Sequence, residues 1–224
     1  MGRASRAQAA HNRARVVAVA SALFRAKGTE NVTLAEVMDA AGLTVGAFYK
    51  QFDSREALVD EAFALAFDHA ATAWKEVRRR SEAEAPGELA ALARHYFRKR
   101  PPERSCPLLA FSSEACQLPR DDEAAATYAG GVAALFDQFK AAASQTAARA
   151  GAAEPPEAQV LAQFAALIGA GLLTRATGST AWTRRLQSAV IDAMAEGRHS
   201  TRAAPAAPDS TLARRRAPRH SPDP

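Results

Sequence analysis

The chain has 224 residues, 48% of them hydrophobic, and a formal charge of +5, long enough for one large core or a small domain joined to a larger one. No run reaches the ~18 consecutive apolar residues of a membrane span, and no apolar segment follows the Arg-containing N-terminus, so a soluble cytoplasmic protein without a signal peptide is expected. The charge is uneven: residues 1–15 carry four Arg and no acid, and the chain from 197 carries six Arg against two acids, together +8, which leaves −3 for residues 16–196. A case for DNA must therefore rest on local geometry and not on net charge.

In chain order, a basic arm (1–11) precedes a first helix expected over about 12–26, with Val16, Ala20, Leu23 and Phe24 at helical spacing and Lys27-Gly28 closing it. Thr33 then stands at an N-cap position with Glu36 three residues later, the spacing of a capping box. Leu34, Val37, Met38 and Ala41 give this second helix its buried face, and Gly42 ends it. Thr44 opens a third, short helix with Phe48 and Phe52 facing inward four residues apart. Asp53 and Glu56 repeat the capping-box spacing before a long fourth helix, which ends in Arg78, Arg79 and Arg80, where cations suit the helix dipole.

Two short helices separated by "AAGLT" predict a helix-turn-helix. Gly42 supplies the residue that tolerates a positive φ, and Leu43 fills the angle between the helices. Such a unit presents the start of its second helix to a major groove. There Val45, Gly46 and Ala47 keep the helix slim, Thr44 and Tyr49 offer hydroxyls, and Lys50 adds charge. A half-buried Tyr49 in an ordinary all-helical core is the competing reading of the same residues.

Residues of about 12–64 resemble the DNA-binding domain of the tetracycline-repressor (TetR) family of bacterial transcriptional regulators. The resemblance is carried by "A-x-x-L-F-x-x-K-G" (Ala20 to Gly28), the Thr33 cap, "A-G-L-T-x-G-x-F-Y-x-x-F" (Ala41 to Phe52) and "S-R-E-A-L" (Ser54 to Leu58). It implies that Thr33 contacts phosphate, that Thr44, Val45 and Gly46 meet the groove, and that Tyr49 is the family's phosphate-contacting tyrosine. Arg55 falls on the position, usually Lys, that touches phosphate at the start of the fourth helix. Val45, Gly46 and Ala47 bring no side-chain hydrogen bonds, so base readout falls to Lys50, Gln51 or the arm, or to DNA shape.

Beyond the break at "SEAEAPGE", helices are expected over about 87–99, 105–117, 121–149, 156–177 and 181–196, with no strand. From Gly197 the Arg/Pro/Ala-rich chain has no period and reads as a disordered tail. The resulting division is an arm (1–11), a DNA-binding domain (12–72), a helical effector-binding and dimerisation domain (73–196) and a tail (197–224). The last two helices are the dimer candidates, through Leu167, Gly171, Trp182, Leu186, Val190 and Met194; the alternative is that they fill one subunit's own core. An effector pocket is expected among Tyr96, Phe97, Leu109, Phe111, Tyr128, Phe136, Phe139 and Phe164, although aromatic residues at helical spacing also build cores.

Cys106 and Cys116 are not in a C-x-x-C arrangement and read as small hydrophobes, with a redox pair as the alternative. His69 and His95 show no metal spacing. No phosphate loop, nucleophile elbow or paired carboxylates are present, so neither an enzyme nor a cofactor is expected. The expected function is a homodimeric repressor on palindromic double-stranded operator DNA, released by a small-molecule effector, with no membrane partner. The competing reading is a helical interaction module whose basic ends bind nucleic acid nonspecifically.

Overall fold

The computed structural model describes residues 2–81 and 87–195. Among them every regular element is helical: α1 (Gly2–Lys27), α2 (Leu34–Ala40), α3 (Val45–Phe48), α4 (Arg55–Ser81), α5 (Glu88–Tyr96), a 3-10 turn (Pro102–Arg104), α6 (Pro107–Ala110), α7 (Ser112–Ala115), α8 (Glu123–Arg149), α9 (Glu157–Thr177) and α10 (Ala181–Ala195). The tail expected over 197–224 lies outside the described residues. The expected arm is, from residue 2, the first part of α1. Its Ala, Arg and Gln are strong helix formers with no breaker before Gly28, and Gln8 Nε2 donates to Asn12 Oδ1 at 3.0 Å one turn on.

The N-terminal domain closes around Val16, Ala20 and Phe24 of α1, Val37 and Met38 of α2, Phe48 and Phe52, and Leu58, Val59 and Ala62 of α4, all buried. Gly42 takes φ +65° in the turn between α2 and α3, a conformation open to glycine at little steric cost. Arg13 ties α1 to this unit. Its guanidinium donates to the Gln51 carbonyl and to the Glu61 carboxylate, and lies 4.1 Å from the centroid of the Phe52 ring, a cation–π distance.

The 27 residues of α4 give a rod of ~40 Å at 1.5 Å per residue. One end belongs to the N-terminal core, while Phe67 and Trp74 are buried farther along, where α4 packs along α8 and α5. Gly131 on α8 permits that approach: a Cβ there would lie 2.3 Å from Cγ of Phe67. At the far end, the 2% exposed Glu88 takes Arg78 Nε at 2.9 Å and Arg149 Nη2 at 3.3 Å. One carboxylate thus joins α4, α5 and α8. Removing a buried partner of this kind leaves charge uncompensated and costs about 3–5 kcal/mol.

Two local readings shift. The fourth helix is capped by Ser54, whose Oγ accepts from Ala57 N at 3.1 Å, one residue later than Asp53. The helix expected over 105–117 is two short helices separated at Phe111 (φ −106°, ψ 0°). That break accompanies stacking of the buried Phe111 ring on Phe63, with centroids 4.0 Å apart.

Candidate nucleic-acid interface and effector cavity

The helix-turn-helix keeps its apolar residues behind and its small and polar ones in front. Phe48 and Phe52 stack with centroids 5.1 Å apart beneath the outer surface. In front of them Val45 is 41% exposed and Tyr49 70%, with Gly46 and Lys50 also exposed. No atom lies within 4 Å of where a Gly46 Cβ would stand. The Tyr49 ring meets Phe48 edge-on at 5.3 Å, so its direction is set from below while its hydroxyl faces outward.

The two threonines differ. Thr33 caps α2, its hydroxyl accepting from Glu36 N at 3.1 Å. The other half of the expected capping box is absent, because the Glu36 carboxylate pairs with Lys27 instead. Thr44 begins α3 with extended backbone (φ −82°, ψ 151°) but makes no side-chain cap bond, so its exposed hydroxyl stays available to a ligand.

Arg55 and Gln51 face inward more than the sequence implied. Arg55 Nη2 donates to Thr29 O at 2.5 Å and to Val32 O at 3.4 Å, and its guanidinium lies 5.9 Å from the Phe24 centroid. It braces the loop that ends at Thr33. Gln51 Nε2 donates to Ala47 O at 3.1 Å, which holds the short α3 against its own turn. Thr33, Thr44, Val45, Gly46, Tyr49 and Lys50 are therefore the outward set, with Arg55 positioned behind them.

The family model described as "Bacterial regulatory proteins, tetR family" matches residues 16–62, the segment that builds this arrangement. Over residues 16–62 the chain thus matches the TetR family. The HTH-type transcriptional repressor KstR2 of Rhodococcus jostii (strain RHA1) is 39% identical over 49 residues, 22% of this chain. That match spans about a quarter (24%) of the curated relative's own length. The fold likeness reaches further. A TetR-family transcriptional regulator from Cytophaga hutchinsonii superposes with TM-score 0.72 at 18% identity, over 84% of this chain and 96% of that one. Reduced Escherichia coli NemR superposes with TM-score 0.68 at 16% identity, over 81% and 97%. At such identities the likeness speaks for the fold alone.

Within this TetR-type fold, a cavity of about 1020 Å³ lies where α1, α4, the 98–107 connector, α9 and α10 meet. Three residues of the expected pocket line it: Tyr96, Phe97 and Leu109. The other five are packing residues. Phe111 is buried against Phe63; Tyr128 donates its hydroxyl to Leu108 O at 2.8 Å and meets the Phe67 ring edge-on. Phe164 joins Phe136 and Phe139 in an edge-to-face cluster with centroids 5.4 and 5.3 Å apart.

What pattern reading missed is the polar lining: Arg25 from α1, His69 and His95, Arg100 and Arg104 from the connector, and Gln187 from α10. The signal was present as the run "RKRPPER" at 98–104 between two helices. His95 Nε2 meets Arg100 Nη2 at 2.5 Å. Burial, and then the charges of Arg100 and Arg98, hold this imidazole at about 4, below its ordinary range. Burial also pushes the Tyr96 hydroxyl and the Cys106 thiol upward, so both carry their protons at neutral pH. No group of three or more metal-binding side chains occurs among the described residues.

The expected dimer residues divide by burial. Leu167, Val190 and Met194 lie in the subunit's own core. Leu186 is half-buried. Gly171 makes room for Tyr96, since a Cβ there would stand 2.5 Å from the ring's Cε1. Only Trp182 of the set is open, 49% exposed. The outward apolar face of α9 is instead Leu161, Leu172 and Leu173, interleaved with Ala158, Ala162, Ala165, Ala166 and Ala176, all exposed and without a charge.

Proposed function

We propose that this chain is a transcriptional repressor that binds a palindromic operator as a homodimer and leaves it when a small molecule fills the cavity. The observation that carries this reading is the exposed Thr44–Val45–Gly46–Tyr49 surface on a buried Phe48–Phe52 frame, within the segment matched by the family model. A slim helix start admits close approach to a groove, and flanking hydroxyls and Lys50 supply phosphate contacts. Thr33 contributes from α2, with Arg55 holding its loop. Arg55 commits Nη2 to the Thr29 and Val32 carbonyls, which leaves its Nε and Nη1 donors for a phosphate.

Dimerisation follows from α9. Its 21 residues are long and apolar enough to cross a membrane by length and composition, although Gln163 and Arg175 interrupt them. One face of α9 belongs to the core of a water-facing bundle with α10 and α8. The other bears leucines spaced by alanines, a surface suited to packing against a second α9 around a two-fold axis, with Trp182 beside it. Such a pair sets the two α3 helices for successive major grooves, ~34–36 Å apart.

Release uses the cavity's position. It is walled by Ala22, Arg25 and Ala26 of α1 as well as by α4, so an occupant touches the DNA-binding domain directly. An effector that prefers the mis-spaced state by ~1.4 kcal/mol lowers operator affinity tenfold.

A gel shift with the DNA upstream of the gene tests the reading. The protein should give a discrete complex that survives competitor DNA, and Tyr49→Phe should weaken it roughly tenfold, the worth of one hydrogen bond to a charged group, with an unchanged melting curve. Smearing that disappears with salt, or a Tyr49→Phe variant that binds like the parent, would reject it in favour of nonspecific binding.

A further inference from the structure

The cavity is strongly basic in a body that is not. Residues 16–196 carry −3 overall, yet the cavity lining holds Arg25, Arg98, Lys99, Arg100, Arg104 and Arg175 against the single carboxylate of Glu103. Elsewhere the described arginines find acids readily, as in the Arg13–Glu61, Arg78–Glu88 and Arg149–Glu88 pairs. Among the described residues none of the lining cations forms an ion pair.

Arg25 is the most informative of them. It is half-buried, its Nε donates to Ser21 O at 3.1 Å, and no carboxylate reaches it among the described residues. Burial, then the like charge of Arg104, lowers its pKa below the usual guanidinium value. Both residues line the cavity, at the seam between α1 and the connector, where Ser105 Oγ donates to Arg25 O at 3.4 Å. Leaving the half-buried Arg25 guanidinium beside like charge in the same cavity is unfavourable without an anion. The apolar part of the lining includes Ala66, Ala70 and Trp74 of α4 and Leu135 of α8. The Tyr96 hydroxyl is screened from solvent, its side-chain hydrogen-bond neighbour being the Cys106 thiol, a weak acceptor.

We propose that the effector is a small organic anion with an apolar body, its charged group held between Arg25 and Arg104 and its body lying along Trp74 toward Tyr96. This deepens the effector reading of the same cavity and rests on it. Guanidinium forks match carboxylate, sulfonate and phosphate oxygens in paired, charge-assisted hydrogen bonds. Because Arg25 belongs to α1 and Arg104 to the connector, a bound anion removes their repulsion and draws α1 onto the larger domain. The ligand's charge, as well as its bulk, then sets where the DNA-binding domain sits.

Two fluorescent probes with one ring system separate charge from bulk: 8-anilinonaphthalene-1-sulfonate and the uncharged N-phenyl-1-naphthylamine, titrated into the full-length protein. The sulfonate should bind at least about tenfold more tightly, the effect of a charge-assisted hydrogen bond or more. Arg104→Gln and Arg25→Gln should each remove roughly that advantage while leaving the neutral probe within about twofold. Arg104 is exposed, so Arg104→Gln keeps the test alive if Arg25→Gln fails to fold. Equal affinity for the two probes, or sulfonate binding untouched by Arg104→Gln, overturns the proposal. So does loss of operator binding in Arg104→Gln, which would assign this cation to DNA phosphate. Probe binding is read without DNA, so failure of the operator assay leaves this result separately interpretable.

Discussion

The helix-turn-helix and the cavity are built in opposite ways. In the first, every outward residue falls between Thr33 and Lys50, and of the residues that present them Val37, Met38 and Phe48 are interleaved in the same stretch and Phe52 follows directly after it. In the second, the lining is gathered from α1, α4, the connector, α9 and α10, more than 160 residues apart from Ala22 to Gln187. A site written contiguously keeps its spacing in the sequence. A site assembled by packing keeps it only in the fold.

The contrast is broken most sharply between neighbours. Phe48→Ala should destabilise the N-terminal domain by about 3–5 kcal/mol, the range for emptying a buried phenylalanine site, read by urea unfolding. Its neighbour Tyr49 is 70% exposed, so the Tyr49→Phe variant should unfold with the parent while binding DNA poorly. If both unfolded alike, the division into frame and presented surface would be lost.

The next effect concerns α9. Leu172→Glu places a charge on an already exposed position of the apolar face, so the subunit should fold. Analytical ultracentrifugation should then show monomer, and operator affinity should fall roughly 100-fold as two linked half-sites become independent. A dimer that persists in Leu172→Glu would move the interface elsewhere.

The smallest effect is acid sensitivity at the cavity wall. His95 is held at about 4 against an ordinary 6.5, so below pH 6.5 the unfolded chain binds a proton that the folded one refuses. Stability is therefore full above about pH 6.5 and declines as the pH falls toward 4. His95→Gln should flatten the melting temperature over that window, while an unaltered slope would place the acid sensitivity elsewhere.

Much of the N-terminal fold was legible because its signals are local. Thr33 caps α2, Gly42 takes the positive φ its turn requires, and Phe48 and Phe52 face inward four residues apart. Even there, side chains that reach across elements left no local mark: Arg55 grips the Thr29 and Val32 carbonyls, and Arg13 spans from α1 to α4. In the larger domain helical periodicity located α8, α9 and α10 but not their partners. Phe139 and Phe164 looked as pocket-like as Tyr96 and Phe97, because spacing alone does not say whether an apolar face meets its own core, a cavity or a second chain. Leu167 and Leu172, five residues apart on α9, went to opposite sides. The basic connector at 98–104 was visible, but only the fold brings it and Arg25 of α1 to the wall of one cavity.

The proposed repressor stands on two α3 helices, held by a two-fold α9 pairing, that read DNA together. Selection from a random duplex library with the full-length protein tests it whatever the operator sequence. An inverted repeat with half-sites about one helical turn apart should be enriched, the enrichment abolished by Leu172→Glu and weakened by Tyr49→Phe. A library that emerges without enrichment, or with an unpaired single motif retained by the Leu172→Glu monomer, would contradict it.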